Sequence, residues 1–128
     1  MPTQENQCLF CTIQPERIVA SNEFAYAIKD GFPVTHLHTL IIPKRHVAEY
    51  FDLNPKELLA CDELLRLMRK SALSADGSVQ GFNVGINAGA VAGQTIFHCH
   101  IHLIPRREGD TPNPRGGVRH VIAGKGSY

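Results

Sequence analysis

Three histidines at alternating positions, His98, His100 and His102, carry the clearest chemical potential of the chain. Successive side chains of a β-strand face opposite ways, so a strand through this segment places the three imidazoles on one face, roughly 6.5–7 Å apart. Neutral imidazole, with an unperturbed pKa near ~6.5, serves equally as a metal ligand and as a nucleophile or acid–base group. The spacing therefore predicts a metal site or a catalytic array, with the intervening residues packed in the core: Cys99, Ile101 and Leu103.

The segment just before the histidines favours phosphate chemistry. Gln94 and Thr95 follow a loop rich in glycine and alanine, and Gly89 and Gly93 in that loop let backbone N–H groups approach an anion closely. A zinc site would instead need further ligands that converge on the same face. We therefore expect a phosphate-binding site next to the histidines.

Composition limits the class of protein. The 128 residues predict a single domain with 43% hydrophobic and 20% charged residues, as in ordinary globular proteins. A net charge of +1 gives no basic field for non-specific nucleic-acid binding. No apolar run approaches the ~20 residues of a membrane helix, and residues 1–7 lack the pattern of a secretory signal. We therefore expect a cytoplasmic protein whose four cysteines are thiols or metal ligands.

The predicted fold class is α+β, with one long helix and a five-stranded antiparallel sheet. Apolar and β-branched runs, bounded by turn residues, predict the strands. Within the single domain 1–128, the core covers about 8–107, and the polar, glycine-rich residues 108–128 form a loosely structured tail. The predicted strands are residues 17–21, 24–29, 38–42, 81–87 and 94–104.

The long helix is predicted from Asn54 to about Ala75. Asn54 is suited to the N-cap, Pro55 to the first helical position, and Glu57 has the spacing of a capping box. Apolar residues at three- and four-residue spacing predict the core-facing stripe: Leu58, Cys61, Leu65, Met68 and Ala72. Further apolar residues need cover from the core or from a partner: Leu59, Leu64, Leu67 and Leu73.

Two segments resemble the histidine-triad (HIT) superfamily. Residues 87–104, Asn-Ala-Gly-Ala-Val-Ala-Gly-Gln-Thr-Ile-Phe-His-Cys-His-Ile-His-Leu-Ile, are similar to its His-φ-His-φ-His-φ-φ signature, with Cys99 at a position usually aliphatic. Residues 38–47, His-Thr-Leu-Ile-Ile-Pro-Lys-Arg-His-Val, are similar to its upstream segment. The resemblance covers about residues 8–107. It implies a HIT-like fold, a homodimer and a hydrolase or transferase that acts at the α-phosphate of a purine nucleotide.

The same resemblance implies the roles of individual residues. His100 matches the nucleophile that forms a nucleotidyl-histidine intermediate, and His102 matches the histidine that contacts phosphate oxygens. His38 completes the catalytic set, to which His98 also belongs as the first histidine of the motif. The positions that bind ribose or phosphate in the family match Asp30, Asn87, Gln94 and Thr95; Gln94 also matches a group that places the hydrolytic water.

The resemblance further implies a structural zinc site. In zinc-containing members a Cys-x-x-Cys pair is joined by two histidines, and these match Cys8, Cys11, His46 and His98. Four N/S ligands form a closed tetrahedral site that leaves no position for water. The alternative is that the two cysteines are core thiols.

One departure from the family lies before the upstream histidine. Members often have Pro-Gly there, whereas this chain has His36-Leu37. On a regular strand His36 would share the face of His38, either as a surface histidine or as an additional substrate contact.

Residues 103–110 resemble the branch of fragile-histidine-triad and bacterial dinucleoside-polyphosphate hydrolases, and the chain lacks the tryptophan typical of the phosphoramidase ending. This favours hydrolysis of diadenosine tri- or tetraphosphate. The alternatives are a purine nucleoside phosphoramidase, a metallohydrolase with His38, His100 and His102 around a catalytic zinc, and a nucleotide-binding module whose hydrolysis is incidental.

Overall fold

A computed structural model describes residues 8–127 and gives one antiparallel sheet with one long α-helix. The strands lie in the order β1-β2-β3-β5-β4, which confirms the predicted fold class. The elements are β1 (Ile18–Ser21), β2 (Ala25–Lys29), β3 (Thr39–Pro43), α1 (Pro55–Ala75), β4 (Val79–Ile86) and β5 (Ile101–Arg107). Within residues 8–127, none of the helices is long and apolar enough to cross a membrane.

Helix α1 begins as the sequence predicts. The Asn54 side chain accepts from the Glu57 N–H, and the Glu57 carboxylate accepts from the Asn54 N–H, so the capping box is complete. The buried stripe is rotated from the predicted one, because Leu58 is 38% exposed and Leu65 is only partly buried. Its buried members are Glu57, Ala60, Cys61, Leu64, Met68 and Ala72.

The two faces of the sheet carry different cores. On one face, α1 packs on alternate residues of the central strands, among them Ala27, Ile41 and Leu103. On the other face, Phe10 from the N-terminal segment packs on the opposite set: Tyr26, Ile28, Leu40 and Ile42. The segment before β1 therefore covers the sheet face that α1 leaves open.

The strand predicted over 94–104 is wrong at both ends, since residues 94–100 are irregular and β5 runs from Ile101 to Arg107. The Cys99 N–H donates to the Val47 carbonyl, in a loop rather than in a strand, at 2.8 Å. Of the three histidines only His102 lies in the sheet, opposite Leu40 of β3 and Gly85 of β4. The prediction that the three imidazoles share one strand face is therefore wrong, whereas the intervening Cys99, Ile101 and Leu103 are buried as predicted.

The residues after β5 are more ordered than the predicted loose tail. A 3-10 helix spans Gly117–Val121, and the Arg119 N–H donates to the Gly116 carbonyl at 2.9 Å. Gly126 packs so closely on the His120 ring that a Cβ there would collide with it. The segment folds back over β4, against which this 3-10 helix packs.

Candidate active site and metal cluster

Two sulfur and two nitrogen donors converge where the N-terminal segment meets the irregular residues before β5. His98 Nδ1 lies 3.4 Å from each of the Cys8 and Cys11 sulfurs and 3.2 Å from His46 Nδ1. A tetrahedral zinc ion with the usual bond lengths separates its N and S ligands by roughly 3.3–3.8 Å. The four donors therefore fit a closed site for a tetrahedral metal ion, and no member of the set is oriented away from the others.

The ring of His98 is fixed in the tautomer that a metal requires. Its Nε2–H donates to the Pro43 carbonyl at 2.7 Å, which leaves the Nδ1 lone pair for the donor cluster. Its side chain is fully buried, and burial is the main cause that lowers the His98 pKa. His98 thus faces the cluster and not the side on which His100 and His102 meet.

His100 has one nitrogen occupied and one available. Its Nδ1–H donates to the His98 carbonyl at 2.8 Å, so the lone pair of the neutral ring is on Nε2. The ring is enclosed edge-on by Phe10, at a centroid distance of 5.0 Å, and by His102, at 5.3 Å. A neutral imidazole held in this way can attack an electrophile without first losing a proton.

A hydrogen-bonded relay fixes the tautomer of His102. The Val34 N–H donates to His38 Nδ1 at 3.1 Å, so the proton of His38 is on Nε2. His38 Nε2 donates to His102 Nδ1 at 2.9 Å and lies 3.4 Å from an Asp30 carboxylate oxygen. The proton of His102 is therefore on Nε2, where it can be donated to a ligand.

Burial keeps this relay uncharged at neutral pH. It lowers the pKa of His102 to about 4, with further contributions from His100 and His38. Burial also lowers the pKa of His38, against the opposing effect of the Asp30 carboxylate. Asp30, His38 and His102 are close enough to ligate an ion. His38, however, already carries a proton on Nε2, the nitrogen that faces the other two side chains. Their geometry therefore favours hydrogen-bond donation over a catalytic zinc.

The His100 and His102 rings line a cavity of about 460 Å³. Three of the predicted substrate-binding residues, Asp30, Asn87 and Thr95, line it as well. Its remaining walls are mostly apolar and come from the N-terminal segment, the loop after β2 and the loop before β5, among them Leu9, Phe10, Ile13, Phe32 and Ile96. An apolar cleft with a few convergent polar groups is the usual form of a small-molecule site.

A larger cavity of about 1000 Å³ lies on the other side of His102. It shares His102 and Asn87 with the wall of the first cavity. His38 and the folded C-terminal segment form further parts of its own wall. Among the described residues that line it, the formal charges are those of Arg106 and Asp110, which form an ion pair at 2.7 Å. This space is therefore electrically neutral with histidines uncharged.

Comparison with known proteins identifies the family. Residues 12–109 match the model of the HIT domain. This chain belongs to the HIT family. The adenylylsulfatase HINT3 of Arabidopsis thaliana is 38% identical over 112 residues, which cover 84% of this chain and 56% of that protein.

Solved structures of HIT proteins share the fold. A zinc-bound histidine triad family protein from Mycobacterium smegmatis has a TM-score of 0.76 and 33% identity, and the match covers 85% of this chain and 81% of that one. The diadenosine triphosphate hydrolase of Plasmodium falciparum, in complex with cyclomarin A, has a TM-score of 0.72 and 26% identity, with 79% and 68% covered.

Gln94 does not occupy the position that the HIT resemblance implies. It is 4% exposed and absent from the walls of both cavities. Its Oε1 accepts from the Gly89 N–H, and its Nε2 donates to the Ala48 and Ile96 carbonyls. Since the Gly93 N–H donates to the Ala90 carbonyl, the N–H groups of both loop glycines are occupied within the loop. The amide therefore anchors the loop, and the N–H groups of Gly89 and Gly93 are not available to bind an anion.

Sequence reasoning missed two participants in the HIT site. Val34 acts through its backbone N–H, which no side-chain motif reveals. Phe10 contacts His100, and its place between the two cysteines was the available signal. His36 is exposed, and its carbonyl accepts from Arg107 at 2.9 Å.

Proposed function

We propose that this HIT protein hydrolyses purine nucleotides at the α-phosphate through a covalent nucleotidyl intermediate on His100. The observation that carries the proposal is the hydrogen bond from His100 Nδ1 to the His98 carbonyl. It places the lone pair on Nε2 of a ring that lines the 460 Å³ cavity. A nucleophile in a defined tautomer beside a ligand cavity is what covalent phosphoryl chemistry requires.

The reaction proceeds in two displacements. The Nε2 lone pair of His100 forms a P–N bond to the α-phosphorus while the bond from phosphorus to the leaving group breaks, and the leaving group departs with that electron pair. Water then attacks the same phosphorus, the P–N electrons return to His100, and the proton of the water is released to solvent. The two steps together are easier than direct displacement of the leaving group by water, because the imidazole is positioned in advance and one difficult step is divided into two.

The neighbouring side chains act as neutral donors and as substrate contacts. The Nε2–H of His102 donates to a phosphate oxygen as negative charge develops, while His38 holds the tautomer of His102. Asp30, Asn87 and Thr95 line the cavity and supply contacts to the ribose and phosphate.

We also propose that the four-donor cluster holds a structural zinc ion. Cys8, Cys11, His46 and His98 would supply all four ligands, so the ion has no open position for water and takes no part in the displacement. It would stabilise the N-terminal segment against the residues before β5. The zinc-bound relative from Mycobacterium smegmatis supports this proposal.

As substrate we favour diadenosine tri- or tetraphosphate, which yields AMP and the remaining nucleotide. The likeness to the Plasmodium diadenosine triphosphate hydrolase supports this choice. A second candidate is a nucleoside phosphoramidate, because the 1000 Å³ cavity beside His102 is neutral. A polyphosphate leaving group would lose its hydration there, and no free cation from residues 8–127 lines the cavity to compensate for that loss. An amine with apolar substituents would have little hydration to lose.

The experiment compares AMP release by wild type, His100→Ala and His36→Ala on diadenosine tri- and tetraphosphate, adenylyl sulfate and an adenosine phosphoramidate. His36 is an exposed histidine outside both cavity walls and serves as the matched control. We expect His100→Ala to lose at least about 1000-fold in kcat with folding intact, and His36→Ala to stay within about twofold. Near-wild-type turnover by His100→Ala would refute the mechanism, and the best wild-type substrate decides the leaving group. Wild type that binds nucleotide without turnover on any of them would indicate a binding module.

We further propose that the protein acts as a cytoplasmic homodimer. Strand β4 is an edge of the sheet, and its residues Val84 and Ile86 are 50% and 36% exposed. Leu58, Leu59 and Leu67 on the outer side of α1 are exposed as well. An unpaired edge and exposed leucines are surfaces that a second copy would cover.

A further inference from the structure

We propose that Phe10 is a positioning residue for His100, and that it links metal binding at the Cys8–Cys11 cluster to the rate of nucleophilic attack. The inference rests on the proposed function of His100. Phe10 stands between the two cysteines and is 7% exposed. Its ring meets the His100 ring edge-on, with a centroid distance of 5.0 Å and an interplanar angle of 70°.

The backbone around Phe10 is fixed from several directions. Both flanking cysteine sulfurs lie 3.4 Å from His98 Nδ1, so an ion held by these donors restrains the chain before and after Phe10. The Phe10 carbonyl accepts from the Tyr26 hydroxyl. Its ring belongs to the buried cluster on the open sheet face. The position of the Phe10 ring is therefore determined by the fold and by the donor cluster together.

His100 needs this contact because its single hydrogen bond does not fix the position of Nε2. The bond from Nδ1 to the His98 carbonyl fixes one ring atom, and a concerted rotation about the Cα–Cβ and Cβ–Cγ bonds would still move Nε2. Phe10 and His102 both contact the ring edge-on and limit that rotation. A displacement of about 1 Å at a reacting atom can cost about 100-fold in rate, so a loosened ring slows attack while nucleotide binding persists.

The cluster therefore holds the nucleophile from two sides. One ligand residue, His98, supplies the carbonyl that sets the His100 tautomer, and the segment between the two cysteine ligands supplies the ring that packs against His100. Release of the ion would loosen both restraints without changing any group that touches the phosphate. The ion thus influences the rate although it takes no part in the bond changes.

The test uses metal-loaded protein in rapid-quench single turnovers, with the protein in saturating excess over the substrate that wild type hydrolyses fastest. The variants are Phe10→Leu, which removes the ring edge, Phe10→Tyr, which keeps it, and Val19→Ala, a control. Val19 is an apolar residue of β1 that is 48% exposed and lines neither cavity. We expect Phe10→Leu to form the adenylyl-protein about tenfold more slowly with nucleotide Kd changed less than threefold, and Phe10→Tyr to stay within threefold of wild type. Val19→Ala should leave both the rate of attack and the Kd within about twofold of wild type.

A second measurement does not depend on activity. In protein with isotope-labelled histidine, NMR reports the tautomer of His100 and the exchange broadening of its ring signals. We expect one sharp Nδ1–H form in metal-loaded wild type, and broadened signals both in Phe10→Leu and in wild type after chelation. Chelation should also slow attack in wild type, and by a smaller factor in Phe10→Leu, where only the restraint from the His98 carbonyl remains to be loosened.

The outcomes separate the two proposals. If His100→Ala retains activity, the proposed function fails, whereas His100→Ala inactive with Phe10→Leu attacking at the wild-type rate overturns the positioning inference alone. Unchanged His100 signals in both Phe10→Leu and chelated wild type would overturn it too. If Phe10→Leu does not fold, Phe10→Met takes its place, and the chelated wild type gives the same comparison.

Discussion

Leu37 adopts a backbone conformation that favours glycine. Its φ is +74°, and it is the one non-glycine residue within 8–127 with a positive φ. It stands directly before His38, at the second position of the pair where the resemblance implies Pro-Gly. We therefore expect Leu37→Gly to be more stable than Leu37→Ala, the reverse of the usual order of these two residues.

The size of the difference follows from local sterics. An L-residue in the left-handed region costs about 1–2 kcal/mol, because its Cβ approaches the following carbonyl oxygen. Glycine avoids this cost but loses more chain entropy on folding, by roughly 0.5–1 kcal/mol. Both variants delete the partly buried leucine side chain, so that loss cancels in the comparison. The glycine variant should be more stable by about 1 kcal/mol, or about 4 °C in Tm.

Urea unfolding of the metal-loaded protein, followed by circular dichroism, measures this difference. Lys70, exposed within α1, provides the control pair, since Lys70→Ala should be more stable than Lys70→Gly by about 1 kcal/mol. If Leu37→Ala equals or exceeds Leu37→Gly while the Lys70 pair behaves normally, Leu37 does not occupy the left-handed region in solution.

Three further predictions concern buried polar groups. Gln94→Ala should lower the free energy of unfolding by about 3 kcal/mol, since it leaves three backbone groups without their partner; unchanged stability with a raised KM would instead identify a substrate contact. The pKa of His102 is about 4 in the folded protein and about 6.5 in the unfolded chain. The free energy of unfolding should therefore keep its full value above pH 6.5 and fall by up to about 3 kcal/mol as the pH is lowered toward 4. His102→Asn should lack this part of the pH dependence, so a constant stability difference between it and wild type from pH 7.5 to 4.5 would contradict the prediction. Glu57→Gln should cost about 2 kcal/mol in urea unfolding, because the buried carboxylate caps α1 and binds Arg45 through two bonds of 2.8 and 2.9 Å. The exposed Asp62→Asn change should cost under about 0.5 kcal/mol, and equal losses in the two variants would refute the distinction.

The local features of the fold could be predicted because their causes lie within a few residues. The capping box of Asn54 and Glu57 is a four-residue pattern, and it sets where α1 begins. The turn between β1 and β2 is equally local, since the Asn22 side chain accepts from the N–H groups of Phe24 and Ala25. The rotation of the buried stripe in α1 was not predictable from spacing alone, because Leu64 and Leu58 are equally apolar and the packed sheet selects between them.

The candidate site was predicted in its residue types but not in its orientation. Alternation would place His98 on the face of His102, yet its partners Cys8 and His46 lie 90 and 52 residues away and turn its ring out of the strand pattern. Gln94 illustrates the same limit, because the Ala48 carbonyl that holds it is 46 residues distant. Contacts of this range depend on the assembled fold, which no local pattern encodes.

The strand order has a consequence for how the chain acquires its shape. Strand β5 is the last of the five along the sequence, yet it lies inside the sheet between β3 and β4. The hairpin of β1 and β2 and the helix can form from near neighbours, whereas β5 must enter between β3 and β4, which are synthesised earlier. During synthesis the ribosome therefore has to release residues up to about Arg107 before the sheet can close. Until then Leu40 and Ile41 lack the neighbours they have in the finished sheet, so an interrupted chain would present their strand edge to chaperones or to other nascent copies.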